Sequence, residues 1–157
     1  MKKIISKSFL LLLFLTASCG FKVVNESEKN NFSIQKIETS GEKRISFKIK
    51  NNLLADTKKN SQNILLVNLN TKKNKNIKEK NIKNEVTKYN LILVSTIEYE
   101  DVNTKIKNAF TLSQNGNYGV STQNSKTINS EKKLLDLLTE KISHQITKEL
   151  ILRLDDY

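Results

Sequence analysis

Leu134, Leu138, Ile142, Ile146, Leu150 and Leu154 recur at every fourth position near the end of this chain. No other feature constrains the fold as strongly. Side chains four residues apart stack on one face of an α-helix, so these six form a single apolar stripe. Leu135 and Ile151 widen it. The spacing predicts an amphipathic helix over residues 130–154, with Lys132, Lys133, Glu140, Lys141, Lys148 and Glu149 largely on its polar side. Asn129 or Ser130 is placed to cap the first turn, and Glu131 suits the positive end of the helix dipole. A stripe of this length has to be covered by the residues that precede it.

Those residues read mainly as strands. Phe32 to Thr39 is a first candidate, ended by Ser40-Gly41. In 63–69, Leu65, Val67 and Leu69 share one face while Ile64 and Leu66 face the other way, which predicts a strand covered on both sides. In 87–101, Tyr89, Leu91, Leu93, Ile97 and Tyr99 alternate with Ile92 and Val94. After a turn at 102–104 the alternation resumes through Ile106, Phe110 and Leu112, which predicts a long antiparallel hairpin. Residues 42–57 fit both periods, since Ile45, Phe47 and Ile49 alternate while Ile45, Ile49, Leu53 and Leu54 keep helical spacing; the length favours a helix. Residues 70–84 are almost all Lys and Asn and read as a solvated loop or hairpin extension, and 114–129 as a loop that includes a short strand at 118–121. With no proline and four glycines, turns have to rest on Asn, Asp and Ser chemistry. The order strand, helix, strand, strand, strand, helix predicts an α+β two-layer sandwich: a mostly antiparallel four-stranded sheet with two helices on one face.

The N-terminus has a separate character. Lys2, Lys3 and Lys7 flank an unbroken apolar run from Phe9 to Leu15, followed by Thr16, Ala17 and Ser18. This is the layout of a signal peptide over residues 1–18, too short to span a bilayer. Cys19, the single cysteine, follows directly and has no partner for an internal disulfide. Leu15-Thr16-Ala17-Ser18-Cys19 resembles a bacterial lipobox, which makes Cys19 the expected lipid anchor. More than one acyl chain there gives stable anchoring. Gly20, rather than Asp, at the next position resembles the sorting signal for the outer membrane. Residues 19–31 then form the anchor and tether, and 32–157 a single domain.

With Lys2, Lys3 and Lys7 removed, 27 Lys and Arg fall to 24 against 16 Asp and Glu, a formal charge of +8. Such a domain attracts polyanions, and in a bacterial envelope these are phosphorylated lipid headgroups. Lys72, Lys73, Lys75, Lys78, Lys80 and Lys83 concentrate the charge between two strands. Aromatic residues do not interleave with them, which argues against a base-stacking nucleic-acid surface. The inventory for catalysis is thin. His144 is the sole histidine and reads as a partly exposed structural residue on the last helix. Glu98, Glu100 and Asp101, and the closing Asp155-Asp156, read as solvated ends. No enzyme, metal or cofactor is expected, and there is no Gly-rich phosphate loop.

Taken together, these residues resemble the LptE family, outer-membrane lipoproteins of lipopolysaccharide assembly. Cys19-Gly20-Phe21 resembles the start of mature members. Tyr89-Asn90-Leu91-Ile92-Leu93 running into Ile97-Glu98-Tyr99 is similar to the family's central strand, and Ala109-Phe110-Thr111-Leu112 to the next. Leu150-Ile151-Leu152-Arg153-Leu154 is similar to its closing helix. The resemblance implies a plug within the β-barrel of LptD, on the periplasmic side of the outer membrane. Such a protein aids barrel folding and the passage of lipopolysaccharide. In such a protein the basic segment is placed to meet the phosphates of lipid A, and its own charge makes Lys72, Lys73 and Lys75, followed by Lys78 and Lys80, the expected lipopolysaccharide contacts. A general envelope lipoprotein serving as an adaptor in another complex is the alternative.

Overall fold

The computed structural model describes residues 31–58 and 61–155. The expected signal peptide, Cys19, the expected tether up to residue 30, and Asp156 lie outside them. Six elements follow in order: β1 (Phe32–Gly41), α1 (Lys43–Ala55), β2 (Asn63–Lys80), β3 (Val86–Asp101), β4 (Lys107–Gly119) and α2 (Asn124–Asp155). The strands lie in sequence order in one sheet. β1 pairs with β2 in parallel, β2 with β3 and β3 with β4 antiparallel. The sheet is therefore mixed, and α1 is the crossover that a parallel pair requires.

The crossover begins where the chain leaves the sheet at Gly41, whose φ is +81°. A Cβ there would stand 2.0 Å from the Thr71 carbonyl oxygen, so backbone meets backbone and glycine is required. Glu42 N–H then donates to that carbonyl at 3.0 Å. The buried Ser46 hydroxyl bonds both the Ser40 carbonyl and the Thr71 hydroxyl. Residues 42–57, ambiguous by period, thus resolve as a helix that buries Ile45, Ile49 and Leu53.

Both helices cover the same sheet face. Asn52 donates to Ser143 (3.2 Å), Thr147 donates to Asp56 (3.0 Å), and Lys48 pairs with Asp136 (2.9 Å). Beneath them Leu65, Val67, Leu69, Leu91, Leu93, Ile97 and Phe110 meet Leu138, Ile142, Ile146 and Leu150. The expected stripe is the core.

Four expectations change. β2 is not covered on both sides: Ile64 and Leu66 are half-buried on the face without helices. Residues 70–84 are not a loop, because β2 continues to Lys80. Its Lys and Asn residues have weak strand propensity, yet β3 supplies a ladder from Thr71↔Ser95 to Lys80↔Val86. β4 likewise runs on to Gly119 along β3, so Tyr118 belongs to a long strand rather than a short one. Finally, α2 starts at Asn124, not Ser130, and neither Ser130 nor Asn129 is its cap. The first turn is instead held by the Lys126 and Thr127 N–H groups donating to the Gln123 carbonyl and by the Thr127 hydroxyl bonding Ser121. Farther on, a Cβ on Gly116 would stand 2.7 Å from Leu134, so the helix lies close on the strand.

Turns use Asx chemistry, as the lack of proline requires. Asn81 Oδ1 accepts the N–H groups of Lys83 and Glu85, both at 2.9 Å, between β2 and β3. Asp101 Oδ1 accepts those of Asn103 and Thr104, at 2.8 and 2.9 Å, between β3 and β4.

Candidate functional site

β1 stops opposite Thr71. The rest of β2, residues 72–80, projects past it with a free outer edge, and its backbone pairs only with β3. This arm carries Lys72, Lys73, Lys75, Lys78 and Lys80, with Glu79 as its only acid. Cross-strand partners share a face, so Lys72 opposite Val94 emerges on the uncovered side and Lys73 opposite Leu93 on the helix side. Register shifts around Glu79 turn the tip.

Lys75 differs from the others. Its ammonium lies 2.7 Å from Glu131 Oε2 and 4.3 Å from the Tyr89 ring centre. Tyr118, stacked on Tyr89 at 5.7 Å, donates its hydroxyl to the same carboxylate oxygen. Hydrogen bonding to Glu131, then to Tyr118, pushes the Lys75 pKa up to about 12. The bond from Lys75 holds Glu131 below the usual carboxylate range, assisted by Tyr118. Burial raises the Tyr118 phenol, and its bond to Glu131 adds to the rise. Lys75 therefore pins the arm to the early turns of α2. Glu131, expected to complement a helix terminus, instead sits a turn or more inside α2 as the acceptor for both groups.

The remaining arm lysines are differently placed. Lys80 Nζ donates to Asn84 Oδ1 at 2.9 Å, and Lys88, across from the arm, takes Glu79 at 2.8 Å. Among the described residues no carboxylate lies within ion-pair distance of Lys72, Lys73, Lys78, Lys80 or Lys83. The arm is thus a paired hairpin with several solvated ammonium groups, suited to phosphate groups by charge rather than by enclosure. Sequence reasoning located the lysines but missed their tie. Tyr89 and Tyr118 do not interleave with the lysines along the chain, yet Lys75 lies over both rings. Only the β3–β4 register, Tyr89↔Tyr118, brings them together. Tyr118 is buried, so the pair offers no open stacking platform.

The uncovered sheet face forms a second feature. Leu66, Asn68, Glu98, Glu100 and Ala109 line an open trough of about 710 Å³ toward the end away from the arm tip. Lys36–Glu38 (2.7 Å) and Lys107–Glu100 (3.3 Å) bridge across its rims. Glu98 and Glu100 emerge there, while Asp101 turns inward to hold its turn. His144 is exposed on α2. No grouping of three metal-ligating side chains occurs among the described residues, and no described helix is long and apolar enough to cross a membrane.

No family model matches the sequence, and no curated protein is significantly similar to it. Solved structures are more informative. Lipoprotein B from Nitrosomonas europaea superposes with a TM-score of 0.59 at 13% identity, over 87% of this chain and 94% of that one. A minor lipoprotein from Acinetobacter baumannii gives 0.54 at 18%, over 79% and 94%. Rare lipoprotein B from Shewanella oneidensis gives 0.50 at 11%, over 77% and 94%. This chain shares their fold. The α+β sandwich expected from the sequence is thereby found in solved structures that are named as lipoproteins. Each superposition spans nearly the whole of the partner structure, so the likeness is one of entire domains.

Proposed function

We propose that this chain is a non-enzymatic lipoprotein, acylated at Cys19 and held on the periplasmic side of the outer membrane. There it acts with an LptD-type β-barrel in lipopolysaccharide assembly. The resemblance in sequence supports this reading, as does a fold shared with rare lipoprotein B. The observation that carries it is the arm: Lys72, Lys73, Lys78 and Lys80 stand on a paired hairpin beyond β1, without carboxylate partners among the described residues. Ammonium groups so displayed meet the phosphates of a lipid headgroup and weaken the cation bridges that hold such lipids together. Lys75 contributes by fixing the arm. The uncovered face, with Asn68, Asn70, Asn74, Thr96 and Thr111, is polar enough to stand against the wet lumen of a barrel.

The test replaces Lys72, Lys73, Lys78 and Lys80 with Ser in the full lipidated chain and measures lipopolysaccharide binding from low to high salt. The wild type should weaken as salt screens its charges, while the variant starts weaker and varies less. Equal affinity at every salt concentration removes the arm from the function. Copurification from detergent-solubilised envelopes addresses the partner. A large β-barrel protein supports the assembly role, and its absence beside other envelope subunits favours the adaptor role.

A further inference from the structure

The arm is one of three free edges in the sheet, and the edges are not alike. Exposed edges invite unwanted pairing, and folded proteins blunt them with bulges and charge. β1 has an irregular register between Ile34 and Lys36 and bears the Lys36–Glu38 pair. The free part of β2 carries its lysines. β4 has neither device beyond Lys107 at its start. From Ala109 to Gly119 it contains no charged residue and no proline, and its register with β3 is unbroken.

The phase of the β4 ladder is fixed at both ends. Val120 N–H donates to the Thr87 carbonyl at 2.9 Å, and Asp101 N–H to the Ile106 carbonyl at 3.0 Å. Antiparallel pairing alternates, so the even-numbered residues of β4 bond β3. Thr111, Ser113, Asn115, Asn117 and Gly119 turn their N–H and C=O groups outward. No hydrogen bond among the described residues reaches those groups, whereas the outward N–H of Ala109 is taken by Asn108 Oδ1 at 2.9 Å. All five residues are exposed.

α2 adds a shoulder beside this edge. Gln114 on β4 donates to Gln145 on α2 at 2.8 Å. Leu137, Lys141, Gln145, Lys148 and Leu152 follow helical spacing and form one line along α2 through that contact. Leu137 and Leu152 are 46% and 50% exposed, high for leucines in this domain. The edge thus has an uncharged backbone template flanked by two open leucines and two lysines.

We infer that β4 accepts an extended segment of another protein as a fifth strand, with apolar and acidic side chains turned toward α2. Backbone pairing supplies the attachment, and the shoulder selects the sequence. A second copy of this chain fits less well, because it would bring Lys141 and Lys148 toward their own duplicates on a domain of formal charge +8. The inference concerns a different surface from the arm and stands whether or not the arm binds lipid.

The test places a photoreactive side chain at Ser113 or Asn115 of the full-length lipoprotein in its native envelope, with Glu38 on β1 as the control position. An adduct with one other protein is expected at β4 and at least tenfold less at Glu38. Ser113→Pro deletes an outward N–H that β3 does not use, so the sheet should survive. It should lower the adduct formed from Asn115 at least fivefold. Ser113→Lys serves the same purpose if circular dichroism shows the proline variant unfolded. Lys141→Glu with Lys148→Glu should also lower the yield, by repelling an acidic segment. Capture of a protein without these sensitivities does not support the inference. It is overturned by equal adducts at β1 and β4, by an adduct within the chain or of twice its mass, by no adduct, or by one indifferent to a folded edge variant.

Discussion

Removing the Glu131 carboxylate asks whether charge holds the arm to α2. Lys75 and Glu131 stand 2.7 Å apart, with side chains 37% and 25% exposed. The rise of the Lys75 pKa from 10.5 to about 12 corresponds to about 2 kcal/mol favouring the charged form in the folded chain. Water reaches more than a third of that side chain, and screening reduces the figure to about 1 kcal/mol. A double-mutant cycle of Glu131→Gln and Lys75→Met should therefore return a coupling of about 1 kcal/mol in urea denaturation at pH 7. Each single variant should lose about 3 °C in Tm. The pH dependence has two limbs. The Lys75 pKa is raised, so its contribution is complete below 10.5 and is lost as pH climbs through about 12. The Glu131 pKa is lowered, so its contribution is present above 4.5 and is lost as pH falls through the folded value. Coupling should be level between these limbs and fall outside them. Strictly additive single variants, or a coupling that grows below pH 4.5, would refute the reasoning.

Other expectations follow from burial. Ile142 is fully buried at the centre of the stripe, so Ile142→Ala should cost about 3 kcal/mol by chemical denaturation. Gly41→Ala forces a Cβ against the Thr71 carbonyl at an unfavourable φ; a loss of about 3 kcal/mol is expected, and a loss below 1 kcal/mol would mean that the junction yields. Ser95 is buried with a hydroxyl that no group among the described residues satisfies. Ser95→Ala should therefore be neutral or stabilising by up to about 1 kcal/mol. A clear destabilisation would reveal a hidden partner.

Periodicity alone determined much of this protein. The stripe from Leu134 to Leu154 requires a covering surface, and the alternation in β3 and β4 supplies one. The layer order follows from those two patterns, because apolar faces have few ways to meet. The lysine cluster was equally plain in the chain. What the arm is made of was not. Lys, Asn and Gly have weak strand propensity, so residues 72–80 and 113–119 become strands only because β3 lies beside them and satisfies their backbones. The early turns of α2 are similar, since 124–129 show no apolar period; their helix start is tied to the chain just after β4 by the Thr127 hydroxyl, which accepts the Ser121 N–H and donates to the Ser121 carbonyl. The sorting of the lysines is likewise tertiary. Nothing in the local sequence separates Lys75 from Lys73 or Lys78; a carboxylate 56 positions away and two tyrosines from different strands do so. Composition settles which charges a chain carries. Pairing between distant segments settles which of them stay exposed, because burial and hydrogen bonding depend on neighbours that only the folded chain brings together.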